Sequence, residues 1–150
     1  MDFDNFVLAQ PEFTDHQCVD DQFIVSGGGF PIPVICGTNS GGHMYVDMGL
    51  AKSHPITLTV VSSGGNSFSR SFSIKVTQFD CTSLTKAGDG CLQYLTGVSG
   101  NVFSYNYNDG SGLQLSNTDY TICVRMERNF CGIQYTACPD TGTYFKDITK

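Results

Sequence analysis

The residues best suited to chemistry in this chain of 150 residues are its seven cysteines. They include no Cys-x-x-Cys pair, the spacing that is typical of structural zinc sites and of thioredoxin-like redox sites. Disulfide bonds formed in an oxidising compartment are the better interpretation. Cys18 and Cys36 flank two apolar runs separated by three glycines, a pattern that predicts two strands joined by a turn. A bond between them would close a loop of roughly 20 residues and stabilise the fold by about 3 kcal/mol, and two buried free thiols are the alternative.

Other residue types that act as catalysts form no recognisable catalytic pattern. The three histidines, His16, His43 and His54, lie in or beside polar, turn-rich sequence, and none belongs to an H-E-x-x-H motif. No G-x-S-x-G nucleophile elbow occurs among the many serines. Neither glycine-rich stretch has the Lys-Ser/Thr pair of a phosphate-binding loop. The sequence therefore predicts a protein that is not an enzyme and that needs no cofactor.

Composition and charge exclude two classes of partner. The net charge is -6 and the chain has only 8 lysines and arginines, so it lacks the basic patch that nucleic-acid binding requires. Binding to an anionic membrane surface is not expected for the same reason. No stretch approaches the roughly 18 consecutive apolar residues that indicate a membrane span. Together with the cysteines, these features favour a secreted, extracellular protein.

Short strands and tight turns must position these residues. Charged residues make up only 15% of the chain, while 17 glycines accompany 11 phenylalanines and 7 tyrosines, a composition that favours strands over helices. The clearest alternation, SFSRSFSIKVTQ at 67–78, places Phe72, Ile74 and Val76 on one face of a half-buried antiparallel strand. Arg70 interrupts that face, and a strand-edge position or an internal salt bridge is a better interpretation of it than a bound anion. About ten such strands, with turns roughly every 8 to 12 residues, predict an all-β antiparallel sandwich.

Two stretches of the chain resemble parts of a CUB domain, of the arthropod type. Cys18 to Gly37 has the order Cys-x-x-Asp, an aromatic-aliphatic strand, a glycine turn and a closing Cys-Gly, as in the family's second disulfide hairpin. Cys91 to Met126 resembles the opening half of the same family. The resemblance implies two packed antiparallel sheets in a jelly-roll-like sandwich, and this agrees with the fold class that the strand pattern predicts.

The resemblance also implies how the cysteines pair. The bonds that it implies are Cys18–Cys36 and Cys91–Cys123, because the family closes similar loops and Cys123 stands in the middle of a strand as the family's second cysteine does. Three cysteines then remain. We expect Cys81 to pair with Cys131, and Cys138 to stay free or to form an intermolecular bond.

Asp21 is the one candidate metal ligand. It matches the aspartate of the family's Cys-x-x-Asp motif, which in calcium-binding CUB domains supplies one of several oxygen ligands. Those domains also have a glutamate ahead of the cysteine, where this chain has Ala9, and an acidic residue in a late loop, where the turn at 62–66 has no carboxylate. We therefore expect no tight calcium site, and we expect Asp21 to cap the hairpin or to accept backbone hydrogen bonds.

The two stretches occur in the reverse of the family's order. Residues 1–80 resemble the C-terminal half of a CUB domain and residues 91–150 the N-terminal half, which favours a piece of a tandem protein. Each half alone would expose strand edges and an apolar face. If the chain folds alone, we therefore expect all 150 residues to form one circularly permuted CUB-like sandwich. This arrangement predicts contacts between the strand of Ile74 and the strand of Val102 or Ile122, and one cooperative unfolding transition.

The function that the resemblance implies is a secreted, non-catalytic binding module that recognises an extracellular protein or glycan. Tyrosines and asparagines of the segment from 94 to 108 are candidates for the contact, because they combine apolar area with adaptable hydrogen bonding. Packing of these tyrosines in the core is the alternative. The candidate binding residues are Tyr94, Tyr105 and Tyr107. Two other functions stay open: a self-associating structural component of extracellular matrix or cuticle, and an accessory domain of an extracellular protease.

Overall fold

The protein is built from short strands and turns. The computed structural model describes residues 1–49, 55–63 and 68–137. The strands in the described residues are β1 (Asp2–Val7), β2 (Asp21–Ser26), β3 (Thr57–Ser62), β4 (Ser71–Lys75), β5 (Cys91–Leu95) and β6 (Thr121–Val124). Their helical content is one short 3₁₀ turn, Asn108–Gly110, so the predicted all-β class is confirmed. His54 and Cys138 lie outside the described residues, as do most of the turn at 62–66 and the tail from 139 onward.

The strands pair as three two-stranded ladders. β1 pairs with β4 and β2 pairs with β3, both antiparallel as predicted. β5 and β6 instead run parallel, which a purely antiparallel sandwich does not include. A parallel pair needs a connection of a dozen or more residues, and the stretch 96–120 between the two strands provides it. The described part of the chain also has fewer strands than the ten or so that turn spacing predicts, since the stretches 43–48 and 102–107 contain no strand.

Three phenylalanines form the centre of the core. Phe3 and Phe6 on β1 contact Phe23 on β2, with ring centroids 6.0 and 5.3 Å away, and the two β1 rings are 4.9 Å apart. Strict alternation would place residues three apart on opposite faces of a strand. An irregularity in the β1–β4 register between Phe3 and Asn5 adds one residue there, so both rings point inward. Burying each ring stabilises the fold by roughly 1.5–3 kcal/mol.

The two halves of the chain share this core. Three buried residues of the second half belong to the same cluster as the phenylalanines: Leu92, Tyr105 and Leu115. We call the contact between residues 1–49 and residues 91–120 the seam. Backbone hydrogen bonds also cross it, from the Tyr45 amide to the Leu92 carbonyl at 2.7 Å and from the Ser116 amide to the His16 carbonyl at 3.0 Å.

The predicted contact between the strand of Ile74 and the strand of Ile122 is wrong. β4 packs beside β1, β6 packs beside β5, and these two pairs share no strand contact in the described residues. The reason is that the second half meets the first through the seam, so β4 lies away from it. Val102, the alternative partner, is itself largely exposed. The circularly permuted sandwich therefore stays a prediction, with the seam as the contact that joins its halves.

The inner faces of β3 and β4 are left uncovered. Residues directly opposite each other on paired strands face the same side of the sheet. Phe6 is fully buried, yet its partner Phe72 is 54% exposed, and buried Phe23 has a largely exposed partner in Val60. Leu58, opposite buried Val25, is exposed as well. We call the group Leu58, Val60 and Phe72 the open face.

Candidate functional site

Both disulfide bonds implied by the resemblance are confirmed. Cys18–Cys36 and Cys91–Cys123 each join α-carbons 5.7 Å apart. The first closes the hairpin that contains β2, and the second ties β5 to β6. The predicted bond between Cys81 and Cys131 is not formed, because Cys131 has a free, exposed thiol. No ladder in the described residues holds the two segments that contain these cysteines together.

Asp21, the candidate metal ligand, is fully buried at the start of β2. One carboxylate oxygen accepts a hydrogen bond from the Ala9 amide at 2.7 Å. The Arg70 Nε lies 2.7 and 2.9 Å from the two oxygens, so the internal salt bridge favoured for Arg70 is present. Burial by itself would raise the pKa of the Asp21 carboxyl, but the hydrogen bonds from Arg70 and Ala9 lower it below its ordinary value. Asp21 is therefore a charged, satisfied structural residue.

The family's calcium site does not fit these residues. Both oxygens of Asp21 already contact the Arg70 guanidinium, and Ala9 has no side-chain oxygen to offer. Calcium requires six to eight oxygen ligands, often from several carboxylates. The described residues contain no group of three or more acidic, histidine or cysteine side chains that could hold a metal ion.

The three candidate tyrosines have different surroundings. Tyr105 is only 3% exposed, and its hydroxyl donates to the His43 carbonyl at 3.1 Å, so it packs in the seam and cannot contact a partner. Burial raises the pKa of its phenol. Tyr94 is half-buried with its ring edge against Tyr45, and Tyr107 is half-buried and stacked on Phe103 with centroids 4.8 Å apart. The tyrosines therefore do not form one adhesive face.

Asn106 is the polar centre of the seam, and it is 1% exposed. Its backbone N–H donates to the side-chain oxygen of Asn39 at 2.7 Å, and its side-chain Oδ1 accepts a hydrogen bond from the backbone N–H of Thr38 at 2.8 Å. Its Nδ2 donates to Gln10 Oε1 at 2.9 Å and to the Leu113 carbonyl at 3.0 Å. These bonds join the end of the cysteine hairpin to the second half of the chain. The sequence indicated Asn106 only as a possible surface residue.

An open cavity of about 230 Å³ lies at the seam. Its walls come from both halves of the chain. They include the rings of Phe30, Tyr45 and Tyr120 and the carboxylates of Asp47 and Asp119. A phenol is neutral at pH 7 and can donate a hydrogen bond, and burial raises the pKa of Tyr45 and Tyr120 further. Ring faces, neutral hydroxyls and two carboxylates together suit a ligand that has an apolar body and a cationic or hydroxyl-bearing end.

Sequence reasoning missed this cavity because its walls are distant along the chain. Tyr45 and Asp47 lie more than 70 positions before Asp119 and Tyr120, and no motif joins them. The Tyr45–Leu92 hydrogen bond, with the seam packing around it, brings the two segments together.

A second open groove, of about 170 Å³, lies beside the loop after β5. Its lining is mostly apolar and includes Val102, Val124, Met126, Phe130 and Ile133. The Glu127 carboxylate accepts a hydrogen bond from the Gly97 amide at 2.7 Å at this edge. Its two charged side chains, Arg125 and Glu127, already pair with each other at 2.7 Å, so the seam cavity is the better candidate.

Comparison with known proteins finds a family match for one part of the chain. Residues 88–149 match the family model of the animal CUB domain. No curated protein and no solved structure matches the chain. The match covers the half of the chain in which the Cys91–Cys123 bond is formed. The resemblance that the cysteine pattern indicates is thus supported independently over residues 88–149, the part of the chain that is similar to the animal CUB domain.

Proposed function

We propose that this chain is a secreted, non-catalytic binding module that recognises an extracellular protein or glycan through the seam cavity. CUB domains are in general extracellular binding modules, and the family match supports that class of function. A family alone does not identify a ligand. The observation that supports this proposal is the cavity itself, because it brings three aromatic rings and two carboxylates together at an open surface.

The charges of the cavity favour a cationic ligand group. Asp47 and Asp119 are both in the lining, and no lysine or arginine is among the described residues that line the cavity. The charge of Asp47 attracts the Lys86 ammonium at a distance, but Lys86 forms its ion pair with Asp89 at 3.3 Å. A lysine or arginine side chain would place its charge at the carboxylates and its aliphatic stem or guanidinium plane against the tyrosine rings. A basic segment of an extracellular protein therefore fits better than a neutral glycan.

Binding to defined probes tests this proposal. Immobilised synthetic peptides with single lysine or arginine residues and an array of neutral glycans would be probed with the wild type and with Asp119→Asn and Phe30→Ala. Both residues line the cavity and are substantially exposed, so the fold should tolerate these changes. Matched controls are Asp4→Asn and Phe13→Ala, which change exposed residues outside the cavity.

We expect basic peptides to bind the wild type and both controls, and the two cavity variants to bind at least several-fold more weakly. If neutral glycans bind the wild type and the controls, and bind the two cavity variants more weakly, the cavity is still the binding site but its ligand is a glycan. If the cavity variants bind every probe as the wild type does, the seam cavity is not the binding site.

Self-association is a second candidate function, and the open face favours it. Leu58, Val60 and Phe72 leave an apolar surface uncovered on two strands whose outer edges are unpaired in the described residues. Light scattering over a concentration series would detect growth of the particles. Phe72→Ser should reduce that growth, while Phe13→Ser, at an exposed residue outside the face, should not. The third function, an accessory domain of an extracellular protease, has no support from any described residue.

A further inference from the structure

We propose that the guanidinium of Arg70 is the permanent cation of the cysteine hairpin, in the position where a divalent ion would otherwise neutralise Asp21. The hairpin would then assemble without calcium. This inference is independent of the seam cavity, since none of the residues that support it lines that cavity.

Four chain segments meet at the Asp21–Arg70 pair. Asp21 begins β2, and it holds the Ala9 amide of the segment that follows β1. Arg70 Nη2 donates to the Ser63 carbonyl at 2.9 Å, just after β3, and Nη1 donates to the Phe68 carbonyl at 3.2 Å, just before β4. One carboxylate and one guanidinium therefore fix the ends of both antiparallel ladders. A metal ion with oxygen ligands would join such segments in the same way.

Burial explains why a cation is required here. Asp21 has no exposed surface, and a buried carboxylate without a counter-charge is strongly destabilising. The positive charge of the Arg70 guanidinium, together with the hydrogen bonds that the carboxylate accepts, keeps Asp21 ionised. Arginine suits this position because its fixed charge and several N–H donors can serve the carboxylate and two carbonyls at once. A calcium ion could reach the Asp21 oxygens only by displacing the guanidinium, which has the same sign of charge.

The described groups that accept hydrogen bonds from Arg70 are all oxygens. They are the two carboxylate oxygens of Asp21 and the carbonyl oxygens of Ser63 and Phe68. Asp20 is also near, because its carboxylate accepts from the Ser63 hydroxyl at 3.4 Å. Carboxylate and carbonyl oxygens are the ligands that calcium prefers. If Arg70 is replaced by a small neutral residue, these oxygens would face one another without a cation, and calcium should then bind among them.

Melting temperatures in EDTA and in millimolar calcium chloride test the inference. The proteins would be the wild type, Arg70→Ala, the double variant Arg70→Ala/Asp21→Asn, and Arg125→Ala. Arg125 is the matched control, because it forms a short ion pair of 2.7 Å with Glu127 outside the hairpin. Calcium should shift the wild type and Arg125→Ala by less than a degree or two. Arg70→Ala should melt lower in EDTA and regain several degrees in calcium, and the double variant should not respond.

Two results would overturn the inference. One is a rise of several degrees when calcium is added to the wild type, which linkage requires of any ligand far above its dissociation constant. The other is an Arg70→Ala variant whose melting temperature is the same in EDTA and in calcium chloride. If Arg70→Ala does not fold in EDTA, refolding it in calcium chloride decides the question, because recovery supports the inference and failure opposes it. Arg70→Lys, which keeps the charge, should fold in EDTA and ignore calcium.

Discussion

Replacing Asn106 by alanine should be the most damaging polar substitution in the seam. The change removes three side-chain hydrogen bonds, of which the two to Thr38 and Gln10 connect the first half of the chain with the second and the one to Leu113 lies within the second half. It leaves the Thr38 amide and the Leu113 carbonyl without these partners. Asn106 also has φ of 60°, a left-handed conformation that asparagine tolerates and alanine does not. The seam would thus lose its polar contacts and gain backbone strain at the same position.

The expected cost is the sum of these two effects. A buried or partly buried group left without its hydrogen bond costs about 1–3 kcal/mol. Two such groups, with some relief from water, account for roughly 2–4 kcal/mol. A left-handed alanine adds about 1 kcal/mol. We therefore expect Asn106→Ala to lower the free energy of unfolding by about 3–5 kcal/mol, a large part of the 5–15 kcal/mol that is typical of a domain.

Urea unfolding followed by far-UV circular dichroism and tyrosine fluorescence measures this cost. The chain has no tryptophan, so its seven tyrosines, of which Tyr105 lies in the seam, report the packing. Asn108→Ala is the matched control. Asn108 also has positive φ, 44°, but its side chain is exposed and bonds only to nearby Ser111, so its loss should cost about 1 kcal/mol. The difference between the two variants isolates the buried hydrogen bonds.

The wild type should unfold in one transition that both probes report alike. Equal destabilisation by the two asparagine variants would refute the reasoning, because the buried hydrogen bonds would then contribute nothing. Two separate transitions in the wild type would refute it as well. They would show that the halves fold independently and that the seam does not join them into one cooperative unit.

Two further substitutions probe the same structure. Gly37 has φ of 76°, and a β-carbon there would overlap the side chain of Asn106, so Gly37→Ala should destabilise by at least about 2 kcal/mol in the same urea assay; a loss below about 0.5 kcal/mol would contradict the close contact. The lowered pKa of Asp21 stabilises the fold above the ordinary carboxyl pKa of 3.8, and this contribution is lost as pH falls through the lowered value. The difference in unfolding free energy between the wild type and Asp21→Asn should therefore shrink between about pH 5 and pH 2, and a constant difference would contradict the shift.

Local sequence predicted the first strand of the cysteine hairpin correctly, because the determinants of that strand are close together in the chain. The apolar run before the glycines forms β2, Asp21–Ser26. The second predicted strand, at 32–35, is reduced to an isolated bridge between Phe23 and Ile35, because β2 pairs along its length with β3. The Cys18–Cys36 bond that the family resemblance implies is formed. For Arg70, the strand pattern favours a strand-edge position or an internal salt bridge over a bound anion, and the salt bridge with Asp21 is present.

Features that depend on distant contacts could not be predicted in this way. The register irregularity in β1 is visible only against β4, which lies about 70 residues later. The parallel pairing of β5 with β6 requires knowing that the stretch 96–120 crosses the seam rather than forming further strands. Asparagine is a residue type that is typical of exposed turns, and Asn106 is buried only because the segment after the cysteine hairpin packs against it. The predicted strand contacts failed for the same reason: periodicity identifies the inward faces, but it does not say which faces meet.

The seam links the stability of the chain to its proposed binding. The walls of the cavity come from both halves, so its geometry exists only while the seam is closed. A ligand that contacts both walls stabilises the closed seam by RT ln(1 + [L]/Kd), and by the same linkage any change that opens the seam weakens the ligand. Asn106 lines no part of the cavity, yet it holds the two walls in register. If the proposed binding is right, we therefore expect polar contacts at the seam to affect it as positioning groups, whereas changes at Asp21 and Arg70, whose described partners do not line the cavity, should affect stability alone.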